Sequence, residues 1–322
     1  MRLRLQTGIC ALVSLLSLNT LHADEGERIV AADGSGQYTT VQAAIDAVPA
    51  KNKSPITIRI APGKYTEHVM IPREKPFITL IGSGKDRSEV WIGSGAVRLA
   101  PLEVRAADTR IENMTLESTA GATAGPMMAL YVEAKRVHVE NCSILGWQDT
   151  LGVWNNAVAY FHNCEIWGSV DFIYSGGTGV FDHCKVVERR DTGGVIAAPS
   201  TPKDVKYGLV FLDCFLTQTP EAKKAGMSLM RPWYPDGQTA YIRCQMENVS
   251  AAGWDKWDGR EKTCRAAEYG STDLNGKPID LSKRSPWVKR LSAKEAAEYT
   301  VKNILGGWDP TTSATTKPAA SK

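Results

Sequence analysis

"VENCSILG", residues 139–146, is followed by "FHNCEIWG" at 161–168, "FDHCKVVE" at 181–188, "FLDCFLTQ" at 211–218 and "YIRCQMEN" at 241–248. Each phrase has a β-branched or aromatic residue three before its cysteine and an apolar residue two after it. "IENMTLES", 111–118, is the same phrase with Met114 in the cysteine slot. Cys142, Cys164, Cys184, Cys214, Cys244 and Cys264 are separated by 22, 20, 30, 30 and 20 residues. Self-similarity at this period, in short segments rich in Val, Ile, Phe and Tyr and bounded by Gly, Asn and Asp, marks a solenoid built of strands. Paired amphipathic helices need longer segments, and the leucine spacing of a horseshoe is absent. The reading is an all-β chain, a right-handed parallel β-helix with one coil per repeat and loops in the longer intervals.

One coil cannot bury its own face, so stacking supplies the core and the two ends need covers. "TTVQAAIDAV", from Thr39, has Thr39 and Gln42 at capping-box spacing and apolar residues at helical intervals. This predicts an N-terminal capping helix. "LSAKEAAEYTVKNIL", from Leu291, repeats the device with Ser292 and Glu295 and predicts a C-terminal helix on the end or the flank.

The cysteines have two readings. Export and an even count favour disulfides. Equivalent positions on stacked strands, however, lie about 4.8 Å apart with parallel side chains, whereas bridged Cβ atoms come to about 3.5–4.5 Å. A buried ladder of free thiols is the preferred reading.

Residues 1–23 have a basic start (Arg2, Arg4), an apolar run from Gly8 to Leu18 and small Ala23 before Asp24 and Glu25. That is the pattern of a cleaved secretion signal, too short to span a membrane. It implies a secreted or periplasmic protein. Without it the chain has 36 basic and 35 acidic side chains and no block of like charge. No nucleic-acid groove and no membrane-binding face follow from this balance. No Gly/Ser or Pro-rich linker divides the chain, so 24–310 reads as a single domain, and the apolar-poor tail 311–322 reads as disordered. Asn113, Asn141 and Asn248 stand in glycosylation triplets, but two of these overlap the repeat and read as turn residues.

Asp149, in "GWQDTLG" (146–152), lies seven residues after Cys142; Asp171, in "SVDFIYS" (169–175), lies seven after Cys164. If the cysteines are equivalent, the aspartates face each other on neighbouring coils, about 5 Å apart. Two carboxylates so close do not both ionise cheaply, and one keeps its proton unless a cation intervenes. "LMRPWYP" (229–235) supplies one: Arg231, fixed before Pro232, can hold a carboxylate by two parallel hydrogen bonds. Trp233 beside it offers a flat face of the kind sugar rings lie against. Asp191, at the same offset from Cys184, lacks apolar neighbours and reads as surface.

"GWQDTL", "VDFIY" and "RPW", in that order and spacing, resemble the pectin methylesterase (pectinesterase) family. So do "GSGQYTTVQAAIDAVP", "APGKYTEHVMIP", "GWDKW" and "GGWDP"; the resemblance runs from about Ile29 to Pro310. It implies the β-helix and hydrolysis of methyl esters of galacturonic acid units in pectin (homogalacturonan), by a monomer with no metal or organic cofactor. By resemblance Asp171 is the nucleophile, Asp149 the acid and then the base, Gln148 the donor to the oxyanion and Arg231 the partner of Asp171. Trp233 and Tyr174 are the substrate-contacting aromatics. The chain departs from the family pattern at four positions. Pro126 stands where many members have a second glutamine, and Gly152, Ser175 and Met230 replace an aromatic and two glycines. The paired carboxylates alone would also suit a retaining glycosidase, a pectin lyase being the related alternative, a solenoid face alone would suit a noncatalytic polysaccharide binder, and the four departures would suit an esterase for another esterified uronate or acyl ester. The surroundings of Gln148 and Arg231 argue for the ester hydrolase.

Overall fold

In the computed structural model, which describes residues 26–96 and 99–312, the chain winds into three parallel sheets of eleven, eight and seven strands. Every strand pairing between neighbouring coils is parallel, with register shifts only at Lys135/Val137 and Val170/Ile173 among the described strands, and the winding is the right-handed parallel β-helix expected from the repeat. The proposed signal, 1–23, and residues 313–322 of the proposed tail lie outside the described residues; Thr311 and Thr312 are exposed. No described helix is long and apolar enough to cross a membrane.

The cysteine phrase is one corner of the coil. Residues Asn113, Asn141, Asn163, His183, Asp213 and Arg243, each just before the Met or Cys, have φ between 50° and 55°. This left-handed conformation is strained for most side chains and easiest for Asn and Asp. The Asn141 amide donates to Asn113 at 2.9 Å and that of Asn163 to Asn141 at 3.2 Å, so the turn reading of the glycosylation triplets agrees with the structure. Inside the corner the aromatics three before Cys164, Cys184, Cys214 and Cys244 stack: Phe161, Phe181, Phe211 and Tyr241 have ring centroids 4.9, 4.7 and 4.4 Å apart along the series.

Five thiols follow these rings as a buried ladder, all unbridged. Each faces a carbonyl one coil back, for example Cys184 Sγ to Phe161 O at 3.4 Å and Cys214 Sγ to Phe181 O at 3.2 Å. Cys264 is half-buried and outside the ladder. Burial pushes the Cys142 thiol up to about 12, which keeps it unreactive in the folded state. Titration of the denatured, unreduced mature protein is therefore expected to find six reactive thiols; finding none would contradict the ladder.

Both covers form, with corrections. The N-terminal helix is Val41–Asp46 with Val41, Ala44 and Ile45 buried, and its cap is Thr40, whose hydroxyl accepts from Ala43 N at 3.2 Å. Thr39 and Gln42 make no capping box. Instead, the Glu67 carboxylate from the next coil takes the free N–H groups of Val41 and Gln42 at 2.9 and 3.0 Å. At the other end the Ser292–Glu295 capping box is present, but the segment forms two short helices, Ala293–Ala296 and Val301–Ile304. Thr300 interrupts it by capping the second with its own hydroxyl. Ile304 and Leu305 pack on Tyr160, Val180 and Val210, so this element covers the outer flank of the eleven-stranded sheet.

Candidate active site

Asp171 lies in the strand Val170–Ser175 of the seven-stranded sheet, and Asp149 in the turn that leads into the neighbouring strand Leu151–Val153. Leu151 pairs with Ile173, which sets the two aspartates, each two residues earlier, at matching places on adjacent coils. Asp149 N donates to Val170 O at 3.1 Å, tying the two segments together. Both aspartates have positive φ, 57° and 51°. Asp171 also lies in a bulge, since three steps from Val170 to Ile173 oppose two from Val195 to Ala197 on the next coil. A bulge and a left-handed residue both turn a side chain away from the regular alternation, here into the cleft that Tyr174 of the same strand also lines.

The carboxylates open into a cleft of about 260 Å3 lined by Pro126, Gln148, Asp149, Asp171, Tyr174, Ala198, Arg231, Trp233 and Trp257. All six residues singled out from the sequence thus line one cleft. Arg231, just beyond the strand Met227–Met230, donates through Nε to Asp171 Oδ1 at 2.6 Å and through Nη2 to Oδ2, the two-pronged clamp expected from its setting. Small Ala198 occupies the intervening coil. A face of the guanidinium lies on Trp257, with Arg231 Cζ 3.9 Å from the ring centroid, so the clamp is held by its edge and by its face. Trp257 is a site residue given no role from sequence, although it stands in the quoted "GWDKW". The sequence signal was the three-residue spacing: Trp254 is buried as the anchor of that loop, and Trp257 projects into the cleft.

The two acids are electrostatically unlike. Burial, reinforced by the negative charge of Asp171, pushes Asp149 up to about 7, and Arg231 and the Gln148 amide pull against it only in part. Asp171 is also raised by burial, and the Arg231 hydrogen bonds and charge oppose that directly but do not cancel it. Near neutral pH the arrangement favours one ionised and one protonated carboxyl, which is what a nucleophile and an acid working together require.

Around the mouth, Tyr174, Trp233, Trp154 and Tyr234 make an aromatic wall. Tyr174 and Trp233 are 6.1 Å apart, Trp154 is 5.7 and 5.8 Å from them, and Trp233 to Tyr234 is 5.0 Å. Gly152 is explained here: it pairs with Tyr174, and a Cβ at 152 would fall 2.7 Å from the Tyr174 hydroxyl. The Tyr174 hydroxyl instead reaches Met128 Sδ at 2.8 Å. Pro126 lines the cleft with Gln148 and has no N–H to offer, so the second amide of the family pattern is absent from this wall. Ser175 and Met230 are fully buried and do not line the cleft, and Asp191 is exposed.

With this geometry in place, comparison with known proteins decides the family. A family model described as Pectinesterase matches residues 27–308. The chain belongs to the pectinesterase family. It is 32% identical over 287 residues to Pectinesterase 31 of Arabidopsis thaliana, covering 84% of this chain and 89% of that protein. Against another Arabidopsis relative, Pectinesterase 5, it spans about half of the longer chain, 50%, at 32% identity. Among solved structures, pectin methylesterase from carrot superposes with a TM-score of 0.82 at 28% identity, covering 88% of this chain and 95% of that one. A pectin methylesterase in complex with a hexasaccharide gives 0.71 at 25% identity, over 88% of this chain and 98% of the other.

The raised pKa of Asp149 has a consequence for this pectinesterase's stability. A carboxyl whose folded pKa, about 7, lies above its ordinary 3.8 holds a proton in the folded chain that the unfolded chain has lost between those values. Stability therefore falls as pH rises through that window and stays lowered above it. Asp149→Asn removes the ionisation and suits the positive φ. Thermal unfolding should show the variant more stable than wild type at pH 8, with the gap closing towards pH 4, while methanol release is lost.

Proposed function

We propose that this chain hydrolyses the methyl esters of pectin through an acyl intermediate on Asp171. The ionised Asp171 oxygen attacks the ester carbonyl, and the oxygen of the tetrahedral intermediate receives a hydrogen bond from the Gln148 amide. Collapse breaks the bond to methoxide, which takes the proton of Asp149 and leaves as methanol. Asp149, now ionised, takes a proton from water and so regains its own; the hydroxide adds to the uronyl carbonyl of the mixed anhydride, expelling the Asp171 carboxylate and giving the uronic acid, whose remaining proton passes to solvent. Trp233 and Tyr174 flank the bound sugar. The observation that carries this reading is the asymmetry of the pair: Arg231 grips Asp171, and Asp149 has no ion-pair partner among the described residues. The same asymmetry fits the aromatic mouth, which suits a polysaccharide chain. An exported monomer acting on pectin outside the cytoplasm completes the proposal, supported by the signal-like residues 1–23.

The test is methanol release from methyl-esterified pectin by the wild-type protein without added calcium. Release accompanied by new carboxylates supports an ester hydrolase. Binding of pectin with no methanol supports a noncatalytic β-helix, and release of reducing ends or unsaturated uronates supports chain cleavage.

A further inference from the structure

The outer face of the eleven-stranded sheet carries a polar column away from the cleft. Glu140, His162 and Asp182 are register partners on three successive coils, and His183 follows at the corner. His162, Asp182 and His183 are the one group of three His, Cys, Asp or Glu side chains among the described residues whose donor atoms all lie within 4.8 Å of one another. We propose that these three side chains bind a single divalent transition-metal ion of the zinc type.

Two contacts behind the group orient it. The Glu140 carboxylate lies 3.0 and 3.1 Å from His162 Nδ1. With Nδ1–H donating there, the Nε2 lone pair is free to ligate, the carboxylate–histidine–metal arrangement that recurs behind metal-bound imidazoles. Tyr160 Oη donates to Asp182 Oδ2 at 2.7 Å, which fixes that carboxylate and leaves Oδ1 forward. Asp182 Oδ1 is in turn 2.7 Å from His183 Nδ1, a hydrogen bond that brings both donors to one place and opens slightly to admit an ion. Metal binding there replaces the shared proton, which passes to solvent.

Bonds of about 2.0–2.2 Å place tetrahedral donors roughly 3.3 Å apart, so no separation has to contract by more than about 1.5 Å. The side chains that have to turn are the exposed ones, His162 at 38% and His183 at 63%. The column ends at this group because the next corner residue, Asp213, is already neutralised by Arg243 through bonds of 2.8 and 2.6 Å. On the other side His138 Nε2 is committed to Glu140 at 3.2 Å. Two imidazoles and one carboxylate suit zinc, nickel or copper, whereas calcium and magnesium prefer oxygen shells. The ion would staple the strands Val158–His162 and Thr178–Asp182, stabilising the solenoid without entering the ester chemistry.

The experiment is calorimetric titration of tag-free, chelator-treated full-length mature protein with zinc chloride, paired with thermal unfolding and the methanol assay. The expected result is saturable one-to-one binding and a raised Tm. Affinity should fall at least about tenfold in His162→Ala and in His183→Ala, and by a similar factor in Glu140→Gln. Methanol release should be equal in wild type, all three variants and chelator. Absence of saturable binding by the wild type, or binding as tight in both histidine variants as in wild type, would overturn the site.

Discussion

Asp171→Ala is expected to lower kcat for methanol release by about 10⁴-fold or more, the scale seen when a covalent nucleophile is deleted from other acyl-transfer enzymes. Removing the carboxylate leaves the Arg231 guanidinium in an open cleft against Trp257, so no buried charge is stranded. Alanine at a residue with φ of 51° adds a local cost of about 1–2 kcal/mol, which the stacked coils can absorb. Asp171→Asn is the control for that cost, because asparagine accepts the left-handed conformation and keeps the shape. Both variants should retain wild-type circular dichroism and both should be inactive. Activity within tenfold of wild type in either would remove Asp171 from the chemistry.

Arg231→Lys is expected to lower kcat/KM by about 10²- to 10³-fold, the range for losing one preorganised electrostatic group. Lysine keeps the charge but gives up the paired hydrogen bonds to Asp171 and the flat contact with Trp257. The pH profile should move as well. Arg231 opposes the burial that raises Asp171 and also lowers Asp149. Weakening it raises both pKa values, so the acid limb, which needs ionised Asp171, and the alkaline limb, which needs protonated Asp149, both shift to higher pH. Looser folding alone would lower the profile without displacing it.

The coil was legible because one corner repeats. An aromatic, a residue able to take positive φ and a small buried thiol recur in one order, and that order fixes register wherever it occurs. The juxtaposition of Asp149 and Asp171 was legible for the same reason, since equal offsets from equivalent cysteines reach equivalent places. Asp191 marks the limit of that rule: the coil after Cys184 re-enters the sheet only at Gly194, so the same count ends in an exposed turn. Contacts between distant segments were less legible. The Arg231–Asp171 pair spans 60 residues and needed the family resemblance to assign the partner. Trp257, the Glu67 carboxylate at the first helix and the exchange of an aromatic at 152 for the Tyr174 ring all depend on which coils become neighbours, and local pattern carries no such information. The division of the C-terminal helix at Thr300 turned on a choice between a side-chain cap and a continuous ladder of backbone bonds, which hydrophobic spacing does not register.

The unequal charge of the two carboxyls can be measured directly by carbon-13 NMR of protein labelled at aspartate side-chain carboxyls, with Asp149→Asn and Asp171→Asn assigning the two signals. Asp149 should titrate near 7 and Asp171 clearly below it, with the gap narrowing in Arg231→Lys. Two carboxyls titrating together in the ordinary aspartate range, or Asp171 retaining its proton to higher pH than Asp149, would contradict the assignment of nucleophile and acid.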